Sequence, residues 1–274
     1  EYINKGLALH DRYRGHPLVR TAFAPHAPYT VSNAPLEKIR TYANELDIPI
    51  NMHIHETVDE INHGLTHYNT RPLQRLDQLG LLSPHLIGVH MTQLTNDEIS
   101  RYGATGAHVV HCPESNLKLA SGFCPVQKLI DAGVNIAIGT DGAASNNDLD
   151  MFSEMRTAAL IGKAVASNAS AVSATTALRM ATLNGAKALG LDEEIGSLLL
   201  GKAADITAVH LGSIETQPIY HPISQLVYAT GRDKVTDVWV AGKHLLKERV
   251  LTTLDEHAIL ENTRQWRDKI KKYD

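Results

Sequence analysis

Three segments of the chain end in the same way: Ile50-Asn51-Met52-His53-Ile54-His55-Glu56, Leu86-Ile87-Gly88-Val89-His90 and Val134-Asn135-Ile136-Ala137-Ile138-Gly139-Thr140-Asp141-Gly142. In each, a short apolar run of β-forming residues finishes on a His or Asp able to bind a metal. Polar or Gly-rich residues follow, and then helical periodicity. A (β/α) barrel enzyme has this layout, because its active site is built at the C-terminal ends of parallel strands. One His after a strand carries little information. Three such ends in order, one with a Glu three residues after its His, point to a mononuclear metal hydrolase.

The rest of the chain extends the alternation. Residues 19–26 form another apolar run, ending in His26. Ser32 or Asn33 caps a helix with Pro35 in its first turn, and Leu36, Ile39, Ala43 and Leu46 make its apolar stripe. A polar stretch follows Glu56, then a helix with Leu73, Leu76 and Leu79 on one face, closed by Gly80. Thr95 and Glu98 make a capping box. Residues 107–112 read as a strand, 125–132 as a helix stopped by Gly133, and 149–166 as a long helical region. This gives about five βα units where a closed barrel needs eight. The expected fold is therefore a (β/α)8 metal-dependent hydrolase barrel, present in part over residues 1–195. An upstream segment or a second chain is required to complete it.

After Gly201 the period changes to two, in residues 204–209 and 235–240, with Ala241-Gly242-Lys243 as a turn and a polar helix over residues 254–272. Residues 196–274 are expected to be strands of a small composite β-sandwich with a C-terminal helix. A net charge of −4 leaves no basic footprint for nucleic acid. No apolar run approaches ~18 residues, so no membrane span is expected. Cys112 and Cys124 make no disulfide framework. The first residues, Glu1-Tyr2-Ile3-Asn4-Lys5, carry no signal-peptide pattern, and a soluble cytoplasmic protein is the expectation. Fifteen His raise the prospect of metal or proton-transfer chemistry.

Pro25-His26-Ala27-Pro28-Tyr29-Thr30, His53-x-x-Glu56, His90, Pro113-Glu114-Ser115-Asn116-Leu117-Lys118-Leu119 and Gly139-Thr140-Asp141-Gly142-Ala143-Ala144-Ser145-Asn146-Asn147 resemble the amidohydrolase superfamily. Within it they are similar to the 5-methylthioadenosine/S-adenosylhomocysteine deaminase branch, over essentially the whole chain. Triazine hydrolases and guanine deaminase relatives share these motifs.

The resemblance implies one divalent metal, Zn²⁺ or alternatively Fe²⁺, with His53 as the fifth-strand ligand and Asp141 as the eighth-strand ligand. The first-strand His-x-His pair of the family is not in this sequence. His53-Ile54-His55 has the spacing of such a pair, since alternate strand residues share a face. A strand ending in His26 precedes it and only three strands follow, which favours the fifth-strand assignment and leaves His55 structural. Glu56, His90 and Asp141 are the implied catalytic residues. Glu56 protonates the ring nitrogen, Asp141 takes the proton of the attacking water and His90 steadies the tetrahedral intermediate. His26, Glu56 and Asp141 are the implied substrate contacts.

His111 reads as a packed core His, Ser115 and Asn116 as shaping the loop above the site, and His63 and His67 as surface residues. The activity implied is hydrolytic deamination of an adenosine-type thioether nucleoside to the inosyl product and ammonia, by a homo-oligomer. The alternatives are action on a triazine, guanine or other heterocycle, and a catalytically incomplete assembly subunit whose strand edges stay open.

Overall fold

Ile50, Met52 and Ile54 are buried and alternate with the more exposed Asn51 and His53, the period-two pattern of a strand with one face against a packed layer. In the computed structural model, which describes residues 1–271, this segment is β1 (Ile50–Ile54). It follows two helices, α1 (Tyr2–Tyr13) and α2 (Asn33–Leu46). Three further units continue the pattern. α3 (Val58–Tyr68) and α4 (Pro72–Gln78) lead to β2 (Leu86–His90), α5 (Asn96–Gly103) to β3 (His108–His111), and α6 (Pro113–Lys118) with α7 (Val126–Asp131) to β4 (Asn135–Ile138). The four strands make one parallel sheet in chain order. The register aligns His53 with Val89, Val89 with Val110 and Val110 with Ala137, so these residues share a face.

The strand expected over residues 19–26 is present only as an extended segment. It makes a single parallel bridge, Phe23 to Ile50. Its carbonyls still accept from β1: Asn51 N–H bonds Phe23 O at 2.8 Å and His53 N–H bonds His26 O at 3.1 Å. Pro25 has no N–H to give, which stops a regular ladder from forming here.

The helices form where their caps are. Ser32 is the N-cap of α2, and Asp47 ends it in the left-handed region at φ 54°. The Thr95–Glu98 capping box is complete in both directions. The polar stretch after Glu56 proves to be helical: α3 starts at the Thr57 cap and buries Ile61 and Gly64. Its apolar stripe is narrow because Gly64 lies under the next helix. A Cβ there would stand 2.9 Å from both Pro72 Cδ and Thr70 O.

Leu36, Leu73, Leu76, Leu81, Leu129 and Tyr102 are fully buried between the sheet and these helices. Leu76→Ala in the full-length protein is expected to lower the unfolding free energy by about 2–5 kcal/mol, read from urea denaturation. A loss below about 1 kcal/mol would mean the site collapses around the missing atoms or is less packed than described.

Beyond β4 come α8 (Ala143–Asn146), α9 (Met151–Ala166), α10 (Ala174–Met180) and α11 (Leu183–Ala188). A second, antiparallel sheet is built from β5 (Ile206–Val209), β6 (Val235–Val240), β7 (Lys243–Lys247) and β8 (Val250–Leu251), with α12 (Pro222–Tyr228) inserted after β5. Among the described residues this is one layer of the composite β-sandwich expected. The turn narrows to Ala241-Gly242, both at positive φ (48° and 76°), and Lys243 already belongs to β7. α13 (Glu256–Ile270) closes the described chain, and Lys272, the last residue of the helix expected there, lies outside it. None of the helices among the described residues is long and apolar enough to cross a membrane.

Candidate metal centre and active site

The C-terminal ends of β1, β2 and β4 bring His53, His90 and Asp141 together. Their ligand atoms all lie within 4.8 Å of one another. The sequence pairs His53 with Asp141 as ligands, and the structure adds His90 at the same range. The His53 ring also lies edge-on to His26, 5.1 Å between centroids, and 5.3 Å from the His90 ring. Burial, with His90 and His26 nearby, lowers the His53 pKa, which favours the neutral imidazole a metal needs.

Asp141 sits three residues beyond β4, in the left-handed region at φ 60°. Burial alone would raise its pKa, but hydrogen bonds from the Ser145 and Ser115 hydroxyls and from the Gly142 N–H hold it below the usual carboxylate value. Both hydroxyls donate to Oδ2, at 2.6 and 2.7 Å. The loop is anchored from beneath by Glu154 of α9, which is fully buried. Asn146 donates to the Glu154 carboxylate and to Thr140 O, while the Glu114 N–H donates to the same carboxylate. Burial pushes the Glu154 carboxyl up to about 7.

His90 has φ 75° and is 1% exposed. Its Nδ1 lies 2.8 Å from Asn116 Oδ1, an acceptor, so Nδ1 carries the proton and Nε2 is turned to the site. Nε2 stands 3.8 Å from Glu56 Oε2. The other Glu56 oxygen accepts from the Ser121 hydroxyl at 3.2 Å, and Glu56 O accepts from the Thr92 hydroxyl at 2.7 Å.

His26 lies on the rim, with its Nδ1 3.0 Å from the Thr30 hydroxyl. Beside it Tyr29, His63 and His67 form a ring cluster, with centroid separations of 6.0 Å (Tyr29 to His63) and 4.0 Å (His63 to His67). His67 is exposed, as expected of a surface residue, but it stacks on His63, which is half-buried with its Nδ1 enclosed. Burial, then the nearby Glu56 and Glu60 carboxylates, raises the Tyr29 pKa.

His55 is fully buried, and its Nε2 accepts from the Leu73 N–H at 3.0 Å, so it ties β1 to α4. Burial pushes its pKa down to about 4. His111 is buried with neither ring nitrogen hydrogen-bonded, and its pKa is pushed down to about 3 by burial, with His90 adding to the effect. A cavity of about 650 Å³, lined among others by Pro49, His85 and His108, lies at the opposite ends of the strands and contains none of the site residues.

Sequence reading missed Ser121, Ser145, Thr92 and Glu60. Ser145 and Glu60 each lie four residues after a site residue, which is the one local signal they give. Thr92 lies two residues after His90 at the same strand end, whereas Ser121 comes from a distant loop and gives none.

A profile described as the amidohydrolase family matches residues 4–245. The chain belongs to the amidohydrolase family. This amidohydrolase chain is 53% identical over 270 residues to the 5-methylthioadenosine/S-adenosylhomocysteine deaminase of Teredinibacter turnerae, covering 98% of this chain and 61% of that one. A solved structure of an adenosine deaminase from Xanthomonas campestris with bound zinc matches at TM-score 0.97 and 57% identity, over 99% of this chain and 62% of that one. Atrazine chlorohydrolase from Arthrobacter aurescens, complexed with zinc, matches at TM-score 0.89 and 26% identity, over 96% and 59%. The chain thus spans about three fifths of the length of the relatives it matches. Its parallel sheet with a separate antiparallel sheet on the C-terminal side is the amidohydrolase arrangement.

Proposed function

We propose that this chain carries the reacting half of a metal-dependent deaminase that hydrolyses 5-methylthioadenosine and S-adenosylhomocysteine to the inosyl product and ammonia. The observation that carries the reading is the convergence of His53, His90 and Asp141 beside the Glu56 carboxylate. The identity to the Teredinibacter enzyme supports this substrate class.

An imidazole and a carboxylate suit Zn²⁺ and also fit Fe²⁺. His53 and Asp141 are the proposed ligands, with His90 directly beside them. When bound, the ion acidifies water at the site and so supplies a nucleophile near neutral pH.

The chain's own groups divide the remaining work. Glu56, steadied by Ser121, delivers a proton to the purine N1, takes up the C6 hydroxyl proton as the adduct collapses to the carbonyl and passes it to the departing ammonia; the proton taken by Asp141 then restores Glu56. Asp141 takes the proton of the attacking water, its Oδ2 committed to two serines. His90, with Nδ1–H fixed on Asn116, presents Nε2 as an acceptor and steadies the tetrahedral adduct by taking the hydrogen bond of its C6 hydroxyl. His26 contacts the substrate from the rim. In this reading an upstream segment or a second chain completes the barrel, and the enzyme is a homo-oligomer. Two free thiols, Cys112 and Cys124, agree with a cytoplasmic location.

The test uses the full-length polypeptide, with metal analysis and ammonia release from both nucleosides, from guanine and from a chlorotriazine. One divalent ion per chain is expected, with turnover of both nucleosides that chelation removes and Zn²⁺ restores. A metal-replete protein that releases no ammonia from either nucleoside but turns over guanine or the triazine would replace the substrate class. One inert towards all four would be the non-catalytic subunit instead.

A further inference from the structure

Glu60 is a buried carboxylate, 4% exposed, for which the proposed reaction has no use. Its sequence context is Thr57-x-x-Glu60 at the start of α3, the pattern of a capping box. Half of the box forms: the Thr57 side chain accepts from the Glu60 N–H at 3.3 Å. The other half is displaced. The Glu60 carboxylate does not turn back to the N–H of Thr57. It reaches one and two residues further, taking the Glu56 N–H on Oε2 at 2.8 Å and the His55 N–H on Oε1 at 2.9 Å.

Those two N–H groups flank a turn that L residues rarely adopt, since His55 has φ 55°. The carbonyl side of the turn is held from the β2 loop. His55 O accepts from the Thr92 and Gln93 N–H groups, and Glu56 O accepts from the Thr92 hydroxyl. The amide side is held by Glu60 alone among the bonds described. Burial pushes the Glu60 carboxyl up to about 7, against the pull of the two N–H groups.

We propose that Glu60 is a positioning residue: by clamping the amides of His55 and Glu56 it fixes where the Glu56 carboxyl stands relative to His90, Ser121 and the His53–Asp141 pair. The inference rests on the proposed role of Glu56 as proton shuttle. Glu60 touches neither substrate nor metal ligands, so its effect passes through the backbone of residues 55 and 56. A carboxylate is the right group for this place, because it offers acceptors on both oxygens. A Gln side chain must present an NH₂ to one of the two amides, donor against donor.

The test compares wild type, Glu60→Gln and Glu60→Asp in the full-length, metal-loaded protein. Glu60→Gln is expected to lower kcat by about 10–100-fold, the range for losing a group that orients a reacting one. KM and metal content are expected to stay close to wild type. Glu60→Asp keeps the charge but is too short to span both amides, and its kcat should fall between the two. Affinity for a nucleoside analogue tetrahedral at C6 should drop in step with kcat/KM, while affinity for the inosyl product stays. A merely structural role would lower Tm and the fraction of titratable sites but leave kcat per site unchanged, and that result would overturn the proposal.

Crystal structures of wild type and of whichever variant folds give a readout free of activity. The expected result is loss of the left-handed His55 and opening of the Glu56–Ser121 contact. An unchanged turn in the variant overturns the positioning role, even if the deaminase reading stands. A wild type inactive on both nucleosides refutes that reading, and the crystallographic comparison still decides Glu60.

Discussion

Glu56→Gln in the full-length enzyme is expected to lower kcat on 5-methylthioadenosine by about 10²–10⁴-fold, the cost of losing a positioned proton donor. The loss should be at the upper end, because one carboxyl is asked to serve both N1 protonation and ammonia departure. The amide keeps the size of the side chain and can still accept from Ser121, so the pocket is not reshaped. What disappears is the transferable proton. Metal content should stay at the wild-type level, since Glu56 lies outside the His53, His90 and Asp141 group. Steady-state kinetics and elemental analysis of the same preparation check both halves. A variant with near-normal kcat on both nucleosides would sink the proton-shuttle mechanism, and one that lost its metal would place Glu56 among the ligands.

Asp141→Asn is expected to cost at least as much, and to differ in kind. The native carboxylate gives Oδ2 to the Ser115 and Ser145 hydroxyls, and neither hydroxyl takes Oδ1. An amide has one acceptor oxygen. It must either keep the serines and turn an NH₂ towards the metal, or serve the metal and abandon two hydroxyls. Loss of the base alone accounts for about 10²–10⁴-fold in rate, and weaker metal retention adds to it. Dialysis against a graded chelator should strip the variant well before wild type. Equal retention by the two proteins would remove Asp141 from the proposed ligand set.

How much of this was legible depended on how local each feature is. The strand ends that deliver His53, His90 and Asp141 could be read because apolar run, ligand and loop are contiguous in sequence. The capping box at Thr95 and the stop at Gly133 are equally local, and both formed. The helix α3 was not read, because its buried face reduces to Glu60, a charged residue, Ile61 and a glycine whose burial comes from Pro72 in another helix. The segment ending in His26 has strand composition, but Pro25 denies it a full ladder. Ser121 is 65 residues from the carboxylate it holds, and no periodicity links the two. The third residue at metal range, His90, was assigned a place beside the metal water. Only the turn at φ 75° and the Asn116 bond show how close to His53 and Asp141 it stands.

Four residues at the reacting end of the sheet, His55, His90, Met91 and Asp141, are left-handed without being glycine. Each such residue costs about 1–2 kcal/mol relative to a relaxed backbone. The geometry that aims the side chains is therefore held against the chain's own preference by the packing around it. For laboratory evolution this divides the molecule into two zones. Selection for heat resistance alone would favour mutations that let these turns relax, and the survivors would be hardier proteins with misaligned chemistry. Libraries meant to toughen the enzyme are better aimed at the opposite ends of the strands and at the outer faces of the helices, where left-handed residues such as Asp47 end a helix and aim no reacting side chain.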